Sequence, residues 1–510
     1  MSPPDWLDPL YEAQEMRDVD AWAIEQQGVP SLELMERAAE GLARVTGEFA
    51  GEGPVRIVVG GGNNGGDGLA AARLLRGEGR AVDVLAAADM DGLKGDARAS
   101  LERLSGEPPR PFAPDALQGS GVIVDALLGT GFSGAPRDLV AAAIAAINAA
   151  GAPVVACDVP SGVDASSGEV AGQAVEADVT ATFHGEKVGL RVAPGALHAG
   201  EVRVVAIGVP PGAPVPGTVG LISERVLSLV PGRTRFGSKF TSGVLAIAGG
   251  ARGLTGAPAM AALAAMRAGA GYVQVAVPAS VQPSLDLRLL EAMTRGLPEE
   301  DGAHTAAGVE GVEDLAERAG CVVLGPGLGR SDGAVAFARG VAASVEVPLL
   351  IDADGLNAHV GALETLQGRP GPTVLTPHAG ELGRLLETDS ATVEAHRLAS
   401  VREAAERSGC VVLLKGDDTL VGPPGGPAAV SPGGTAALAT AGTGDVLSGV
   451  IGTLMAKGLD PFAAAAAGVV AHVRAGKAAA ARHGADHTIA SDVIDALPAG
   501  FSREPPAASR

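Results

Sequence analysis

The sequence predicts two α/β domains in tandem, each with a parallel sheet covered by helices on both faces. Three observations support this fold class. The chain has 510 residues, too many for a single hydrophobic core. Short apolar runs alternate with longer helical stretches rich in Ala and Leu along both halves. A segment rich in proline and glycine, residues 210–217, separates the halves. We therefore expect one domain over residues 1–212 and another over residues 221–505.

The composition excludes several classes of protein. The chain is 46% hydrophobic and 19% charged and has 74 glycines, which is typical of a folded α/β protein with many tight turns. Its formal net charge of −21 argues against nucleic acid or an anionic membrane as a partner. We find no secretory signal or membrane span, and Cys157, Cys321 and Cys410 each lie beside a Val-rich run as buried thiols would. We expect a cytoplasmic protein.

The first half begins with two predicted helices within residues 11–49, separated near Gly28 to Pro30. Strand-like runs then alternate with helical stretches. The predicted strands are Val55 to Val59, Ala81 to Leu85, Val122 to Val124, Val154 to Cys157, Val179 to Phe183 and Val202 to Ile207. In a parallel sheet of this kind, ligands bind beyond the carboxyl ends of the strands. The residues that follow each run are therefore the candidates for a site.

Three of these strand ends carry glycines, carboxylates and small polar residues. A glycine-rich turn, residues 60–68, precedes a predicted helix from Leu69 to Leu75; Asp125 and residues 129–131 follow the third run, and residues 158–164 the fourth. The first turn departs from the dinucleotide-binding fingerprint, because Gly60 to Gly62 are followed by two asparagines. Tight turns with helix-capping Asp residues would explain each segment alone, but they explain all three together poorly.

Residues 63–68, 125–131 and 158–164 resemble the three signatures of the NAD(P)H-hydrate epimerase family, and residues 182–190 resemble its closing motif. The resemblance implies a Rossmann-like sandwich that interconverts the R and S forms of hydrated NADH and NADPH. It implies a potassium ion on Asn64, Asp125 and Ser161, and Asp158 as the acid or base. The implied substrate-binding residues are Asp158 with Asn63, Asn64, Gly65, Gly66, Asp67, Gly129, Thr130, Gly131, Phe132, Ser133, Gly134 and Ala135. Leu69 departs from the family pattern, in which we expect an aromatic residue.

The alternation restarts in the second half. The predicted strands are Val244 to Ala248, Val273 to Val277, Cys321 to Leu324, Leu349 to Ile351, Val374 to Leu375 and Val411 to Leu414. Polar and glycine-rich segments again follow the strands, at residues 249–257, 325–329, 352–357, 376–381 and 415–419. The sequence has only six lysines, at 94, 187, 239, 415, 457 and 477, so Lys415 at a strand end is a candidate phosphate ligand.

The segment Gly442 to Asp445 is the clearest candidate site in the second half. Two glycines precede an apolar helix, and the free N–H groups and dipole of such a helix start favour an anion. Asp445 could there accept a proton from a substrate hydroxyl that faces the phosphate. The alternative interpretation is a glycine turn in which Asp445 is the N-cap of the helix.

The second set of motifs is similar to the ADP-dependent NAD(P)H-hydrate dehydratase family of the ribokinase-like superfamily, over residues 238–497. The resemblance implies a ribokinase-like three-layer sandwich in which ADP, with Mg²⁺, phosphorylates the ring hydroxyl, and loss of phosphate restores the dihydropyridine. Asp445 would be the base. The implied nucleotide ligands are Lys415, Gly416, Asp417, Asp418, Thr419 and Gly444, and the implied substrate ligands are Ala257, Gly327, His378 and Asp445.

Together, the two resemblances predict a bifunctional enzyme that repairs hydrated nicotinamide cofactors, an isomerase and a lyase on one chain. Its substrates would be hydrated NADH and NADPH and ADP, and we expect a homo-oligomer. The sequence leaves ADP against ATP open. The alternative is a ribokinase-type small-molecule kinase with a non-catalytic N-terminal binding domain, since a fold does not fix a function.

Overall fold

The computed structural model describes residues 3–51, 53–214 and 217–502. It divides into two compact units. The first unit comprises residues 9–220, and the second combines residues 3–8 with the chain from residue 221. The predicted bounds place residues 3–8 in the first domain, whereas in the structure they belong to the second unit. Within the predicted break and domains, the residues outside the described ranges are Val215 and Pro216 of the break, residues 1, 2 and 52 of the first predicted domain and residues 503–505 of the second.

Strand β1 (Leu7–Leu10) opens the chain and is part of the second of the two large sheets. The elements that follow, as far as residue 205, form the first unit. They are helix α1 (Ala13–Ala21), continued by a π-helical turn (Trp22–Gln26), α2 (Ser31–Phe49), β2 (Val55–Val59), α3 (Asn63–Gly77), β3 (Val82–Ala86), α4 (Gly95–Glu102), β4 (Arg110–Pro111), β5 (Val122–Ala126), α5 (Asp138–Ala149), β6 (Val154–Cys157), β7 (Val179–Phe183) and β8 (Glu201–Val205). Short 3-10 turns lie at Met90–Gly92, Pro114–Leu117, Val188–Leu190 and Gly195–His198.

The first unit has a parallel seven-stranded sheet in the order β4-β3-β2-β5-β6-β7-β8. Alternate residues of β2 enter opposite cores: Ile57 packs with Leu42 of α2 and Leu69 of α3, whereas Val58 packs with Ile144 of α5. The sheet is therefore covered on both faces, as the near-continuous apolar strands predicted. Its strands deliver the residues at 60–68, 125–131 and 158–164 to one edge.

Helix α3 begins earlier than the sequence predicted. The glycine-rich run forms its first two turns, so the helix starts at Asn63 and not at Leu69. Glycine is a poor helix former, but here the helix packs too closely on its neighbours for a side chain. A Cβ on Gly65 would lie 2.2 Å from the carbonyl oxygen of Gly60, and one on Gly66 would lie 2.8 Å from Cα of Ala97. Tertiary packing thus outweighs local propensity.

The second unit continues the chain with β9 (Val219–Ile222), β10 (Val244–Ala248), α6 (Gly256–Arg267), β11 (Tyr272–Pro278), α7 (Gln282–Asp286), β12 (Met293–Leu297), β13 (Glu299–Glu300), β14 (Ala303–His304), α8 (Val309–Ala316), β15 (Cys321–Leu324), α9 (Asp332–Ser344), β16 (Leu349–Ile351), α10 (Asp354–Asn357) and β17 (Thr373–Leu375). It ends with α11 (Ala379–Leu385), α12 (Ser390–Ala395), α13 (Arg397–Ser408), β18 (Val411–Leu414), β19 (Leu420–Gly422), β20 (Ala428–Val430), α14 (Thr443–Ala456), α15 (Pro461–His483) and α16 (Ala490–Gly500). Short 3-10 turns lie at Glu224–Leu229, Ala279–Val281, Ala306–Gly308, Leu363–Gly368, Ala436–Leu438 and Ala485–His487.

The large sheet has eleven strands in the order β1-β9-β20-β19-β18-β17-β16-β15-β10-β11-β12. The block from β12 to β18 is parallel, whereas β18, β19 and β20 pair antiparallel. One face packs against α6, α14, α15 and α16 in a large apolar core, and the residues of the other face, such as Val322 and Ile351, are also buried. The predicted class, two α/β units in tandem with covered parallel sheets, is confirmed. Within the described residues, no helix is both long and apolar enough to cross a membrane.

Candidate active sites

A cavity of about 630 Å³ lies at the carboxyl ends of the first unit's strands, a size typical of a small-molecule site. Residues that follow β2, β5, β6 and β7 meet in it, together with residues of α1 and α2. Its lining includes the predicted Asn63, Asn64, Asp67, Gly129, Thr130, Gly131, Phe132 and Asp158. The topology therefore brings the three predicted segments to one cavity.

Asp158 is held in this cavity by a buried lysine. The residue follows β6 directly with φ of +66°, a conformation that a non-glycine residue seldom adopts outside functional sites. Lys187, only 1% exposed, donates a hydrogen bond to Asp158 Oδ1 at 2.5 Å, and Thr130 Oγ1 donates to Oδ2. Burial raises the pKa of Asp158, but the charge and hydrogen bond of Lys187 and the bonds from Thr130 and Phe183 outweigh it and hold that pKa below its usual value. Asp158 is thus an ionised base at neutral pH.

Two further carboxyl groups that line the same cavity, those of Asp67 and Asp20, have raised pKa values. Burial, reinforced by the charge of Asp158, raises the pKa of Asp67 well above its usual value. Burial also raises the pKa of Asp20, on α1, to about 6, although Lys187 opposes the shift. Neighbouring carboxyl groups whose pKa values are pushed apart are typical of an acid and base pair. Asp67 can donate a proton where Asp158 accepts one.

The predicted cation ligands Asn64, Asp125 and Ser161 also come together. Ser161 Oγ donates to Asp125 Oδ1 at 2.6 Å, and the Ser161 N–H donates to Oδ2 at 2.8 Å. Asn64 Nδ2 donates to the carbonyl oxygen of Leu128 at 2.9 Å, which also lies 3.3 Å from Ser161 Oγ. Burial raises the pKa of Asp125 to about 6, while its bonds to Ser161 oppose that shift. Ser161 thus contacts both the buried Asp125 carboxylate and the carbonyl oxygen that Asn64 contacts, and carboxylate, hydroxyl and amide oxygens are ligands that fit an alkali cation.

Five of the predicted substrate residues do not line the cavity. Gly65 and Gly66 are buried inside α3, where they allow close packing. Ser133, Gly134 and Ala135 lie on an exposed stretch outside the lining. Leu69, at the position where the family pattern has an aromatic residue, is fully buried in the core of the first unit. An aromatic side chain instead reaches the cavity from Phe132.

In the second unit, Asp445 is the third residue of α14. The N-cap of that helix is Gly442, with φ of +92°, and no side chain caps the helix. The interpretation of Asp445 as an N-cap is therefore wrong. Burial, together with the charges of Asp352 and Glu381, raises the pKa of Asp445 to about 7, although Lys415 opposes the shift. A carboxyl group with a pKa near the working pH suits a general base.

Lys415 is fixed beside Asp445 by a buried carboxylate. Its Nζ donates to Asp352 Oδ1 at 2.7 Å, and Ser448 Oγ of α14 donates to Asp352 Oδ2 at 2.7 Å. Burial lowers the pKa of Lys415, but the charge and hydrogen bond of Asp352 and the charges of Glu381 and Asp445 together outweigh burial and raise it. A Cβ on Gly444 would lie 3.4 Å from the Lys415 ammonium group. The ammonium and the start of α14 thus converge where a phosphate could bind.

A second cavity, of about 360 Å³, extends from this point. Four of the five predicted residues from 415 to 419 line it, as does Gly444. Asp418 is the exception, because its carboxylate pairs with the buried Arg397 through two contacts of 3.0 Å. Asp418 therefore stabilises the loop of residues 415–419 through this ion pair, and the other residues of the loop line the cavity.

Two of the predicted substrate residues of this unit, Ala257 at the start of α6 and Gly327 after β15, lie next to each other. A Cβ on Gly327 would lie 3.2 Å from Ala257 Cβ, so the turns after β15 and β10 touch there. His378 is the N-cap of α11, its Nδ1 accepting from the N–H of Gly380 at 3.0 Å. The His378 N–H donates to Glu381, whose charge acts on Asp445. His378 is thereby linked to the neighbourhood of the proposed base.

Sequence reasoning missed several polar residues of these sites. Lys187, Asp20, Asp352, Glu381, Ser448 and His472 were not selected as site residues. The scarcity of lysine could have identified Lys187 as it did Lys415, and Asp352 follows a strand within a motif already noted. Asp20 and His472 lie within helices of unremarkable composition, so the sequence offered no signal for them.

Two family models match the chain. A model described as NAD(P)H-hydrate dehydratase matches residues 245–499, and one described as YjeF-related protein N-terminus matches residues 31–189. Each match falls within one unit of the structure.

Curated relatives match both units at once. The bifunctional NAD(P)H-hydrate repair enzyme of Salinibacter ruber is 39% identical, over 96% of this chain and 95% of that protein. The enzyme of the same name from Moorella thermoacetica is 39% identical over 96% of each chain. Among solved structures, the ADP/ATP-dependent NAD(P)H-hydrate dehydratase from Bacillus subtilis, co-crystallised with ATP and Mg²⁺, is 28% identical with a TM-score of 0.47, covering 55% of this chain and 95% of that one.

Proposed function

The chain belongs to the family of bifunctional NAD(P)H-hydrate repair enzymes, and we propose that it divides the two reactions of that family between its two units. The first unit epimerises the R and S hydrates, and the second dehydrates the S hydrate with ADP. One observation carries this division: each unit has its own cavity beside a buried carboxylate and lysine pair, Asp158 with Lys187 and Asp352 with Lys415. A kinase with a silent first domain would not need the first of these pairs.

The epimerase reaction inverts a ring carbon that carries a hydroxyl group. Inversion requires that the hydroxyl leave and water return from the opposite face. Asp67 gives a proton to the departing hydroxyl, which leaves as water, and the ring nitrogen stabilises the carbon with its lone pair. Asp158 takes a proton from the water that adds on the other face. Lys187 keeps Asp158 ionised for this role, and burial keeps Asp67 protonated.

Asn64, Asp125 and Ser161 would hold potassium in the first unit, since contacts through Ser161 and the Leu128 carbonyl oxygen bring a buried carboxylate, a hydroxyl and an amide together. When bound, the cation supplies positive charge beside the cavity and favours the ionised form of Asp125. Melting of the first unit should rise in potassium chloride relative to choline chloride, and Asp125→Asn should remove that difference.

In the second unit, Asp445 accepts the proton of the substrate hydroxyl. The oxygen of that hydroxyl attacks the β-phosphorus of ADP, and AMP leaves. Lys415 and the N–H groups at the start of α14 stabilise the charge on the transferred phosphoryl group. The carbon–oxygen bond then breaks, and the phosphate departs with the electron pair of that bond. Loss of a proton from the neighbouring carbon forms the ring double bond. Ala257, Gly327 and His378 would border the hydrate.

Magnesium would enter the second unit with the nucleotide. Mg²⁺ is usually held by one or two carboxylates together with substrate phosphates. In keeping with this, no group of three or more His, Cys, Asp or Glu side chains is arranged to hold a metal in the part of the chain that the structure describes. Asp417 is a candidate for such a carboxylate, because it lines the second unit's cavity of about 360 Å³, which we call the nucleotide-side cavity.

The compartment and assembly of the enzyme are also proposals. The three cysteines are buried and unpaired with one another, which suits the reducing cytoplasm. We expect a homo-oligomer, which light scattering of the purified chain would reveal.

A single assay tests the proposed function. Pure S hydrate is incubated with ADP and magnesium, and the dihydronicotinamide absorbance is followed. The absorbance should return, and a mixture of R and S hydrates should be converted completely, because the first unit recycles the R form. Conversion that stops when the S hydrate is consumed would contradict the epimerase assignment, and no return of absorbance would contradict the dehydratase assignment.

A further inference from the structure

The nucleotide-side cavity contains a buried histidine to which the proposed reaction assigns no role. His472 lies on α15, is 6% exposed and lines the cavity together with Lys415, Thr443 and Gly444. Its Nε2 atom is buried and has no hydrogen-bond partner among the residues that the structure describes. A buried polar atom in this state is uncommon in proteins, and at the wall of a binding cavity it points to a ligand.

The surroundings of the ring fix which nitrogen carries the proton. Burial and the nearby charge of Lys415 lower the pKa of His472 to about 4, while a hydrogen bond with the Thr443 backbone opposes the shift. The imidazole is therefore neutral at pH 7. The bond with the Thr443 backbone raises the pKa, so the ring is its donor, and because Nε2 has no partner the donor is Nδ1. Nε2 then carries no proton and is an acceptor.

An acceptor at this place discriminates between the parts of a nucleotide. Phosphate oxygens are acceptors as well, so a neutral Nε2 gains nothing from them, and Lys415 with the start of α14 already serves the phosphates. The donors on an adenine nucleotide are the ribose hydroxyls and the 6-amino group of the base. Both belong to the nucleoside half of the molecule.

We propose that Nε2 of His472 accepts a hydrogen bond from the nucleoside half of the bound nucleotide, which makes His472 a specificity-determining residue of the dehydratase unit. This rests on the proposed function, in that the second cavity takes ADP. The bond is independent of the predicted set Lys415 to Thr419 and Gly444, which lies on other elements. It selects for the nucleoside, whereas Lys415 selects for phosphate.

Two matched substitutions separate this role from support of the fold. The amide of Asn in His472→Asn falls near Nδ1, so it keeps the bond to Thr443 and removes the acceptor at Nε2. The longer Gln in His472→Gln places its amide oxygen near Nε2 and restores the acceptor. Binding of ADP is measured by calorimetry without hydrate, together with the melting temperature. We expect His472→Asn to weaken ADP binding by about five- to tenfold and His472→Gln by about twofold or less.

Three analogues identify the donor. They are 2′-deoxyADP, 3′-deoxyADP and the diphosphate of purine riboside, which lacks the 6-amino group. One of them should bind the unmodified enzyme about five- to tenfold more weakly than ADP does. The His472→Asn protein should bind that analogue and ADP with equal affinity. Loss with a deoxy analogue assigns a ribose hydroxyl, and loss with the purine riboside compound assigns the base.

Several results would overturn the proposal. One is an unmodified enzyme that binds all three analogues as tightly as ADP, a result that needs no variant to fold. The proposal is also contradicted if the His472→Asn protein binds ADP normally. It is contradicted as well if that protein binds ADP and every analogue more weakly by the same factor, because His472 would then only support α14. If the unmodified enzyme binds no ADP at all, the proposed function of the second unit fails before this question arises.

Discussion

At the scale of single residues, two lysines lie beside the two carboxylates that we propose as bases. Lys187, which is buried, contacts Asp158 directly, so its charge keeps that carboxylate ionised. Lys415 is instead engaged by Asp352, which leaves Asp445 with a pKa of about 7. Asp158 is therefore ionised at neutral pH, whereas about half of the Asp445 carboxyl groups are protonated there before substrates bind.

Removing the first lysine should inactivate the first unit alone. In Lys187→Met, burial of Asp158 is no longer opposed by a neighbouring charge, so its pKa rises and the base is protonated at pH 7. We expect R-to-S conversion to fall about a hundredfold or more and to recover partly as pH rises. The measurement is the epimerisation rate between pH 6 and 9. Dehydration of pure S hydrate is the internal control, and a variant with a normal epimerisation rate would show that Lys187 is only a core residue.

The two reactions should also respond differently to acid. Because Asp445 must be ionised to act as a base, kcat/KM for dehydration should fall about tenfold per pH unit below pH 7. Asp158 has a lowered pKa, so epimerisation should stay constant from pH 7 to pH 6. Initial rates of both reactions on one preparation, corrected for the uncatalysed change of the hydrate, test this. A flat dehydration profile from pH 6 to 8 would remove Asp445 from the role of base.

The predicted site residues are mostly those that follow strands. The residues that act by contacting them, such as a buried ion-pair partner, were not predicted. Asp158 was predicted from its place after a strand and from a family resemblance, and Asp445 from a glycine turn that precedes an apolar helix. Lys187 and Asp352 lie in motifs too, but their importance depends on a contact with a partner distant in sequence, 29 and 63 residues away respectively. Such pairings depend on sheet order, which spacing along the chain does not determine.

At the scale of elements, glycines inside α3 and α14, the two helices that begin at the candidate sites, allow close packing against neighbouring elements. Both α3 and α14 start within their glycine-rich segments, at Asn63 and Thr443. The sequence correctly predicted a helix after each glycine run, but a propensity argument places the start too late because it ignores the neighbours. The close approach of α3 to β2 is what sets Asn64 and Asp67 at the rim of the cavity.

Replacing Gly65 tests the importance of this packing. In Gly65→Ala, the new methyl group would lie 2.2 Å from the carbonyl oxygen of Gly60, so α3 must shift. We expect the first unit to lose about 1–3 kcal/mol of stability and the epimerase to lose activity, since overpacking moves the backbone. Gly77→Ala, at the other end of α3 with open space around it, is the matched control. Equal melting temperatures for the two variants would show that α3 tolerates the displacement.

At the scale of the whole molecule, the N-terminal segment belongs to the unit that is distant from it in sequence. Trp6 is 6% exposed, and its ring lies 5.2 Å from that of Phe462 on α15. Its carbonyl oxygen accepts from both the N–H and Oγ of Ser223. A sequence divided at its proline-rich break could not show this, because a short N-terminal strand carries no periodicity of its own. A fragment starting at residue 221 would lack these contacts.

Trp6→Ala should therefore destabilise the second unit and leave the first unit unchanged. Loss of a buried tryptophan costs about 3 kcal/mol or more, so ADP-dependent dehydration should be lost at a lower temperature. The chain has two tryptophans, Trp6 and Trp22, and Trp22 packs against the core of the first unit. Fluorescence of Trp22 in this variant follows the first unit alone. If that signal also shifts to lower temperature, the two units do not unfold independently.

The most direct test of two reactions in two units is a reciprocal pair of variants assayed for both activities. Asp158→Asn and Asp445→Asn each keep the size of the side chain and remove one base. The first should abolish R-to-S conversion while dehydration of pure S hydrate stays near normal. The second should lower kcat for dehydration about a hundred- to ten-thousandfold, with ADP affinity and epimerisation little changed. Loss of both activities in either variant would contradict the assignment of one reaction to each unit.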